Sequence, residues 1–140
     1  MAIDYLKGYP WNCISHQATL KSDEEISAGM LIKVNSSGQA VRCDGTAGEA
    51  SYFAKEDDTA KDVIFTKKLP YVMSNVVVLT DQFDGAISSY TEGDNLAAGD
   101  TLLTGQVVIH PGTGTKPIIG KYVGTRTRNS VVYMAVSKFD

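Results

Sequence analysis

Histidine is the side chain that this 140-residue sequence offers for acid–base chemistry near neutral pH, and there are two, His16 and His110. A catalytic histidine needs a nucleophile or an acid beside it, but the chain has no Gly-x-Ser-x-Gly sequence around a reactive serine. Residues 112–117 (Gly-Thr-Gly-Thr-Lys-Pro) are rich in glycine, yet their proline and the lack of a following helical pattern exclude a phosphate-binding loop. The sequence therefore predicts a protein that is not an enzyme and has no cofactor.

Two groups of acidic residues are candidates for cation binding. Calcium prefers oxygen ligands at alternate positions of a loop, and Asp81 and Asp84 come closest to that spacing. We nevertheless expect solvated loops, since the first group has consecutive acids flanked by Lys55 and Lys61. Cys13 and Cys43 match no zinc-binding spacing either, so no metal site is predicted. The two acidic groups are Glu56, Asp57, Asp58 and Asp62, and Asp81, Asp84, Glu92 and Asp94.

The charge balance and the hydropathy pattern exclude two classes of partner. Lys and Arg total 13 against 16 Asp and Glu, which gives a net charge of -3. A mildly acidic chain lacks the positive surface that binds nucleic acid. No apolar run approaches the roughly 18 residues of a membrane-spanning helix. The first residues lack the pattern of a signal peptide, so we expect synthesis in a cytoplasm and neither nucleic acid nor membrane as partner.

The elements that would position any site are predicted to be strands. Short apolar runs rich in Val, Ile, Tyr and Phe alternate with Gly, Asn, Asp and Ser, which is typical of an all-β domain. We expect a small single-domain β-sandwich or barrel over residues 26–140, preceded by an extended N-terminal arm over residues 1–25. The predicted strands cover residues 30–35, 39–43, 51–55, 62–66, 75–80, 86–90, 106–110, 116–125 and 130–139.

The arm carries two tyrosines and the single tryptophan of the chain. Tyr5, Tyr9 and Trp11 fall at near-alternating positions, so an extended chain would present them largely to one side, and Pro10 stiffens the segment. Such a row of aromatics is suited to a partner surface. We therefore predict that these four residues bind a partner; the alternative is that Trp11 caps the core of the domain itself.

The last predicted strand is apolar on both faces over residues 131–136. Such a strand is usually buried on both sides, either in the centre of a sandwich or at an oligomer interface. We predict a homo-oligomer, most simply a trimer, with Val131, Tyr133 and Val136 at its interface.

One short pattern occurs twice. Residues 26–33 (Ile-Ser-Ala-Gly-Met-Leu-Ile-Lys) are similar to residues 96–104 (Leu-Ala-Ala-Gly-Asp-Thr-Leu-Leu-Thr), and a Gly-Gln pair follows each, at residues 38–39 and 105–106. Glycine supplies a backbone angle that other residues resist, so each copy predicts a compact turn into a sheet. The repetition predicts two similar β-arches that pack against each other.

Together, these two turn-and-strand units and the closing strand at residues 131–136 resemble the small head-decoration (cement) proteins of tailed bacteriophages. The resemblance covers residues 26–140. It implies a structural protein of the virion that binds the major capsid protein on the outer face of the head, often as a trimer, and stabilises the shell. It also implies that an N-terminal arm makes part of the shell contact.

Two other functions are compatible with the sequence. In a carbohydrate- or surface-binding accessory module of the fibre or adhesin kind, Trp11, Tyr5 and Tyr9 would stack on sugar rings. In a carrier domain of the biotinyl or lipoyl kind, Lys116 would be the modified lysine at a hairpin tip. A modified protein would show the adduct in its mass.

Overall fold

The computed structural model of the chain describes residues 3–7, 13–57, 62–68 and 76–138, with the side chains from Ser15 onward except those of Thr66 and Lys68. Strands make up 49% of it and helices 5%, which confirms the all-β prediction. Neither of the two described helices is long or apolar enough to cross a membrane. The elements in chain order are β1 (Ile3–Lys7), β2 (Cys13–Leu20), β3 (Leu31–Val34), β4 (Gln39–Arg42), β5 (Tyr52–Phe53), β6 (Asp62–Lys68), β7 (Val76–Thr80), the 3₁₀ helix Ile87–Ser89, β8 (Asn95–Ala98), the 3₁₀ helix Thr101–Leu103, β9 (Val107–Ile109), β10 (Gly120–Arg128) and β11 (Val131–Lys138).

Six strands form an antiparallel sheet in the order β1-β7-β11-β10-β8-β9. A two-residue turn joins β10 to β11, and both of its residues, Asn129 and Ser130, have positive φ angles of 51° and 65°. That geometry matches the twist of the flanking strands. It places β11 in the interior of the sheet, between β7 and β10.

The other five strands form a sheet in the order β5-β3-β4-β2-β6, in which β2 and β4 are parallel. Its outer strands meet: Ala54, next to β5, bridges to Phe65 of β6, and the Lys55 N–H donates to the Ile64 carbonyl oxygen at 2.8 Å. The five strands therefore close into a small barrel.

Three apolar clusters hold this architecture together. The main core lies between the sheets and contains Leu31, Cys43 and Phe53 from the barrel side together with residues of the six-stranded sheet. A second core, with Ile32 and Val63, fills the barrel. The third, formed by Leu79, Tyr133 and Ala135, lies on the other face of the six-stranded sheet. The main core is completed by Val76, Val78, Tyr90, Leu96, Ala98, Val107, Ile119, Tyr122, Met134 and Val136.

The structure corrects the strand predictions in two ways. Residues 86–90 do not form a strand, because the chain there makes the 3₁₀ helix Ile87–Ser89. Three strands, β1, β2 and β8, lie where none was predicted. The other eight predicted strands overlap strands of the structure.

Candidate partner-binding surface

The turn at residues 99–105, called here the second turn, is the second copy of the repeated pattern. The Gly99 N–H donates to the Gln106 carbonyl oxygen at 2.9 Å, and the Leu103 N–H donates to that of Asp100 at 2.9 Å. A Cβ atom on Gly99 would collide with the carbonyl oxygen of Leu103. Close backbone approach is therefore the reason for glycine at this position.

Leu102 stands at the tip of the second turn with 94% of its surface exposed. The preceding residue, Thr101, has a φ of 55°, a conformation that costs a β-branched residue free energy. Burying a leucine contributes about 1.5–3 kcal/mol, which this chain does not gain in its own fold. A strained backbone that holds a large apolar side chain in water favours contact with a second surface.

A neighbouring loop, residues 110–117, supports the second turn. The Gly112 N–H donates to Nδ1 of His110 at 3.0 Å, so Nε2 carries the ring proton and donates to the Lys116 carbonyl oxygen at 2.8 Å. The Lys116 ammonium in turn lies 3.2 Å from the Asp100 carboxylate. Both nitrogens of His110 are therefore used to shape this loop.

A cavity of about 400 Å³ lies beside the second turn. Leu103, Ile109 and Lys116 line it, and Tyr90 forms part of its wall. The Tyr90 hydroxyl lies 2.8 Å from the Asp84 carbonyl oxygen and 3.2 Å from that of Val107. Burial, with the charge of Asp84 as a smaller cause, raises the pKa of Tyr90 to about 12. The hydroxyl therefore acts as a neutral donor that fixes the cavity wall.

The two arches contact each other directly. The Leu31 N–H donates to the Gly105 carbonyl oxygen at 2.8 Å, and the Gly105 N–H donates to that of Cys43 at 2.9 Å. The packing of the arches that the repetition predicts is thus confirmed. Cys43 itself is buried, and burial raises the pKa of its thiol, which disfavours the reactive thiolate.

The predicted arm lies partly outside the described residues. Tyr9, Pro10 and Trp11 are outside them, and of Tyr5 the structure describes the backbone, which lies in β1 opposite Val78 of β7. β2 pairs with both β4 and β6. The described part of residues 1–25 therefore lies against the domain. Binding of a partner by Tyr5, Tyr9, Pro10 and Trp11, and the alternative in which Trp11 caps the core, stay predictions.

The three residues predicted at an oligomer interface do not share a face. Tyr133 is 9% exposed and packs with Val131 in the cluster beside Leu79. Val136 points the opposite way and is fully buried in the main core. Successive residues of a strand alternate between faces, so one flat interface cannot use all three. The double-sided apolarity of β11 is accounted for by the two clusters that it separates, and association through β11 stays a prediction.

Described acidic side chains near the turns accept backbone hydrogen bonds. Asp57 accepts from the Ala28 N–H at 2.8 Å, and Asp94 accepts from the Thr91 N–H at 2.8 Å. Asp44, whose pKa is lowered to about 2 chiefly by its hydrogen bond from the Thr46 hydroxyl, shapes the loop after β4. Within the described part of the chain, no three His, Cys, Asp or Glu side chains are placed to hold a metal ion.

Sequence reasoning did not single out Leu102, although a signal was present. The first copy of the pattern continues after its glycine with Met30 and Leu31, whereas the second continues with Asp100 and Thr101. That polar pair marks the place where the second copy leaves the core. Comparison of the chain with protein-family models, curated proteins and solved structures finds no match.

Proposed function

We propose that this chain is a decoration (cement) protein that binds the major capsid protein on the outer face of a phage head and stabilises the shell. The observation that carries the proposal is Leu102, which is 94% exposed on a strained turn closed by hydrogen bonds. If Leu102 docks into an apolar pocket of the shell, the complex gains the free energy of burying this side chain, which the isolated chain does not gain.

The build of the second turn suits a contact between rigid surfaces. Gly99 closes the turn tightly, and the ion pair between Asp100 and Lys116 ties it to the neighbouring loop. A backbone that is already held in place loses little conformational entropy on binding, so more of the free energy of burying Leu102 appears as affinity.

A trimer would multiply this contact. Three copies of Leu102 on one particle would bind a symmetric shell with an avidity above that of a single site. Val131 and Tyr133, which share a face, remain the residues through which we propose that the copies associate.

A specific observation disfavours the carrier alternative. The stem of Lys116 lies over Gly45, where an added Cβ would come within 2.8 Å of it. The Lys116 side chain is 18% exposed, and its ammonium is paired with Asp100. A lysine that accepts a biotinyl or lipoyl group must instead project freely into solvent.

Co-sedimentation tests the proposal. The purified full chain is mixed with expanded, empty heads of its own source and, separately, with unexpanded shells, and the pellets are quantified. We expect saturable binding to the expanded heads at a fixed ratio to the capsid protein, together with a higher temperature of shell disruption. Protein that stays in the supernatant at micromolar concentration would overturn the proposal.

A further inference from the structure

The interior face of the barrel changes character towards one end. Val63 of β6 is 1% exposed and Phe65 4%, and both belong to the second core. Lys67 follows at the next position of the same face, since strand residues alternate. On the neighbouring strand β2, His16 is paired with Phe65 and so lies on the same face of the sheet. Aromatic and charged groups therefore replace aliphatic ones at this end, called here the barrel mouth.

Three rings form the floor of the barrel mouth. The His16 and Phe65 rings are nearly parallel, with centroids 5.8 Å apart and an interplanar angle of 21°. The Tyr52 ring lies 5.1 Å from Phe65 at 30°. Above this floor is a cavity of about 320 Å³, whose rim includes Val34 and Glu49. That volume lies within the usual range of small-ligand sites, and barrel mouths are a common place for them.

Two charged side chains, Lys67 and Glu49, line the cavity of the barrel mouth. The Lys67 ammonium lies 5.2 Å from the centroid of the Tyr52 ring, a cation–π distance. No carboxylate among the described residues is within ion-pair distance of Lys67. The nearby Glu49 is bound instead to Lys33, at 2.6 Å. Among the described residues, the Lys67 ammonium therefore has no ion-pair partner, whereas the Glu49 carboxylate on the rim is held by Lys33.

We propose that the barrel mouth binds a small cyclic anion, a carboxylate carried on a six-membered ring. The ring would lie against the half-buried Tyr52 and His16, because flat apolar faces match aromatic floors. The carboxylate would pair with Lys67. Two sources have this chemistry, an acidic sugar and an aromatic acid. The site is separate from the second turn, so it does not depend on the decoration function.

An NMR titration of the full chain tests this site. Glucuronate, benzoate and the neutral sugar glucose are added separately at millimolar concentration, and the aromatic signals of Tyr52 and His16 are followed. We expect one or both acids to shift these signals and glucose to leave them in place. A response to glucuronate alone identifies an acidic sugar, and a response to benzoate alone identifies an aromatic acid.

Substitutions with a matched control test whether the Lys67 ammonium and the aromatic floor contribute to binding. Lys67→Met keeps the stem and removes the ammonium, and it is expected to weaken acid binding by about tenfold or more. Lys121→Met removes an exposed lysine of the other sheet and should change nothing. Tyr52→Leu, a second variant, should also weaken binding. The proposal is overturned if no acid binds, if glucose binds equally well, or if folded Lys67→Met protein binds like the wild type.

Discussion

The two copies of the repeated pattern differ in burial, since the residues after the glycine are buried in the first copy and largely exposed in the second. In the first copy, the residues after Gly29 enter the core: Met30 is 8% exposed, and Leu31 and Ile32 are fully buried. In the second copy, the residues after Gly99 leave the core, and Leu102, at the position that corresponds to Ile32, is 94% exposed. A pattern can therefore serve folding in one place and leave a large apolar side chain exposed in another.

Hydrogen bonds show the same contrast. The turn around Gly29 at residues 27–30, called here the first turn, is bonded to other parts of the fold. The Gly29 N–H donates to the Ala54 carbonyl oxygen at 2.9 Å, and the buried Thr80 hydroxyl donates to the Gly29 carbonyl oxygen at 2.7 Å. In the second turn, Gly105 is bonded to Leu31 and Cys43, but the tip at residues 99–103 is closed by its own backbone and by Gln106. A tip that is closed in this way can change without disturbing the core.

The largest expected effect is the difference in stability between substitutions at Ile32 and at the corresponding position, Leu102. Ile32→Ala should lower the free energy of unfolding by about 2–5 kcal/mol, because it opens a cavity in the barrel core. Leu102→Ala should change it by less than about 0.5 kcal/mol, since its side chain is in water already. Urea denaturation measures both. A Leu102→Ala variant as unstable as Ile32→Ala would show that the second turn also serves the core.

A smaller effect is expected from filling the closed second turn. Gly99→Ala places a Cβ against the Leu103 carbonyl and should lower the free energy of unfolding by about 1–3 kcal/mol. Gly48→Ala is the control, because an added Cβ there meets nothing within 4 Å, although its φ of 77° adds some strain. Denaturant midpoints compare the two. If Gly99→Ala costs no more than the control, the turn is looser than its hydrogen bonds indicate.

The next smaller effect on stability is expected at Tyr90, which supports the cavity wall. Tyr90→Phe should lower the free energy of unfolding by about 1 kcal/mol, because the carbonyl oxygens of Asp84 and Val107 lose the hydrogen bond from its hydroxyl. Since the folded pKa of Tyr90 is about 12, above its ordinary value of 10.0, the tyrosine stabilises the fold fully below pH 10. That contribution is lost between pH 10 and 12. Thermal midpoints across this interval should fall less steeply for Tyr90→Phe; equal slopes would contradict the assignment.

The smallest effect concerns the ion pair that joins the second turn to its supporting loop. The Asp100 side chain is 65% exposed, so solvent screens its attraction to Lys116. A double-mutant cycle with Asp100→Asn and Lys116→Met should give a coupling below about 1 kcal/mol that shrinks as salt is added. A larger coupling, insensitive to salt, would mean that the pair anchors the turn.

Much of the fold could be predicted from the sequence, because local alternation is visible there. β3 was predicted from the apolar Ile32 and Val34 flanking Lys33, and β6 from Val63 and Phe65. β2 was missed because the barrel mouth puts His16 on its interior face and so weakens the apolar signal. β8 was missed because its small residues Ala97 and Ala98, followed by a glycine, are also typical of a turn.

The candidate site could be predicted less well, since it depends on contacts between distant residues. The sequence predicts two arches in contact but not that the second exposes Leu102, or that Gly99 approaches the backbone of Leu103. Closure of the barrel is equally hidden, because the bridge from Ala54 to Phe65 joins strands that are not hydrogen-bonded neighbours elsewhere.

We propose that the second turn presents Leu102 to the shell, whereas the first turn serves the fold. This proposal is tested most directly by the dissociation constants of wild type, Leu102→Ser and Val123→Ser on expanded, empty heads. Val123 is the matched control, an apolar side chain that is 39% exposed on β10. We predict that Leu102→Ser binds about tenfold or more weakly at unchanged thermal midpoint, and that Val123→Ser binds like the wild type. Equal binding by Leu102→Ser and the wild type would overturn this proposal.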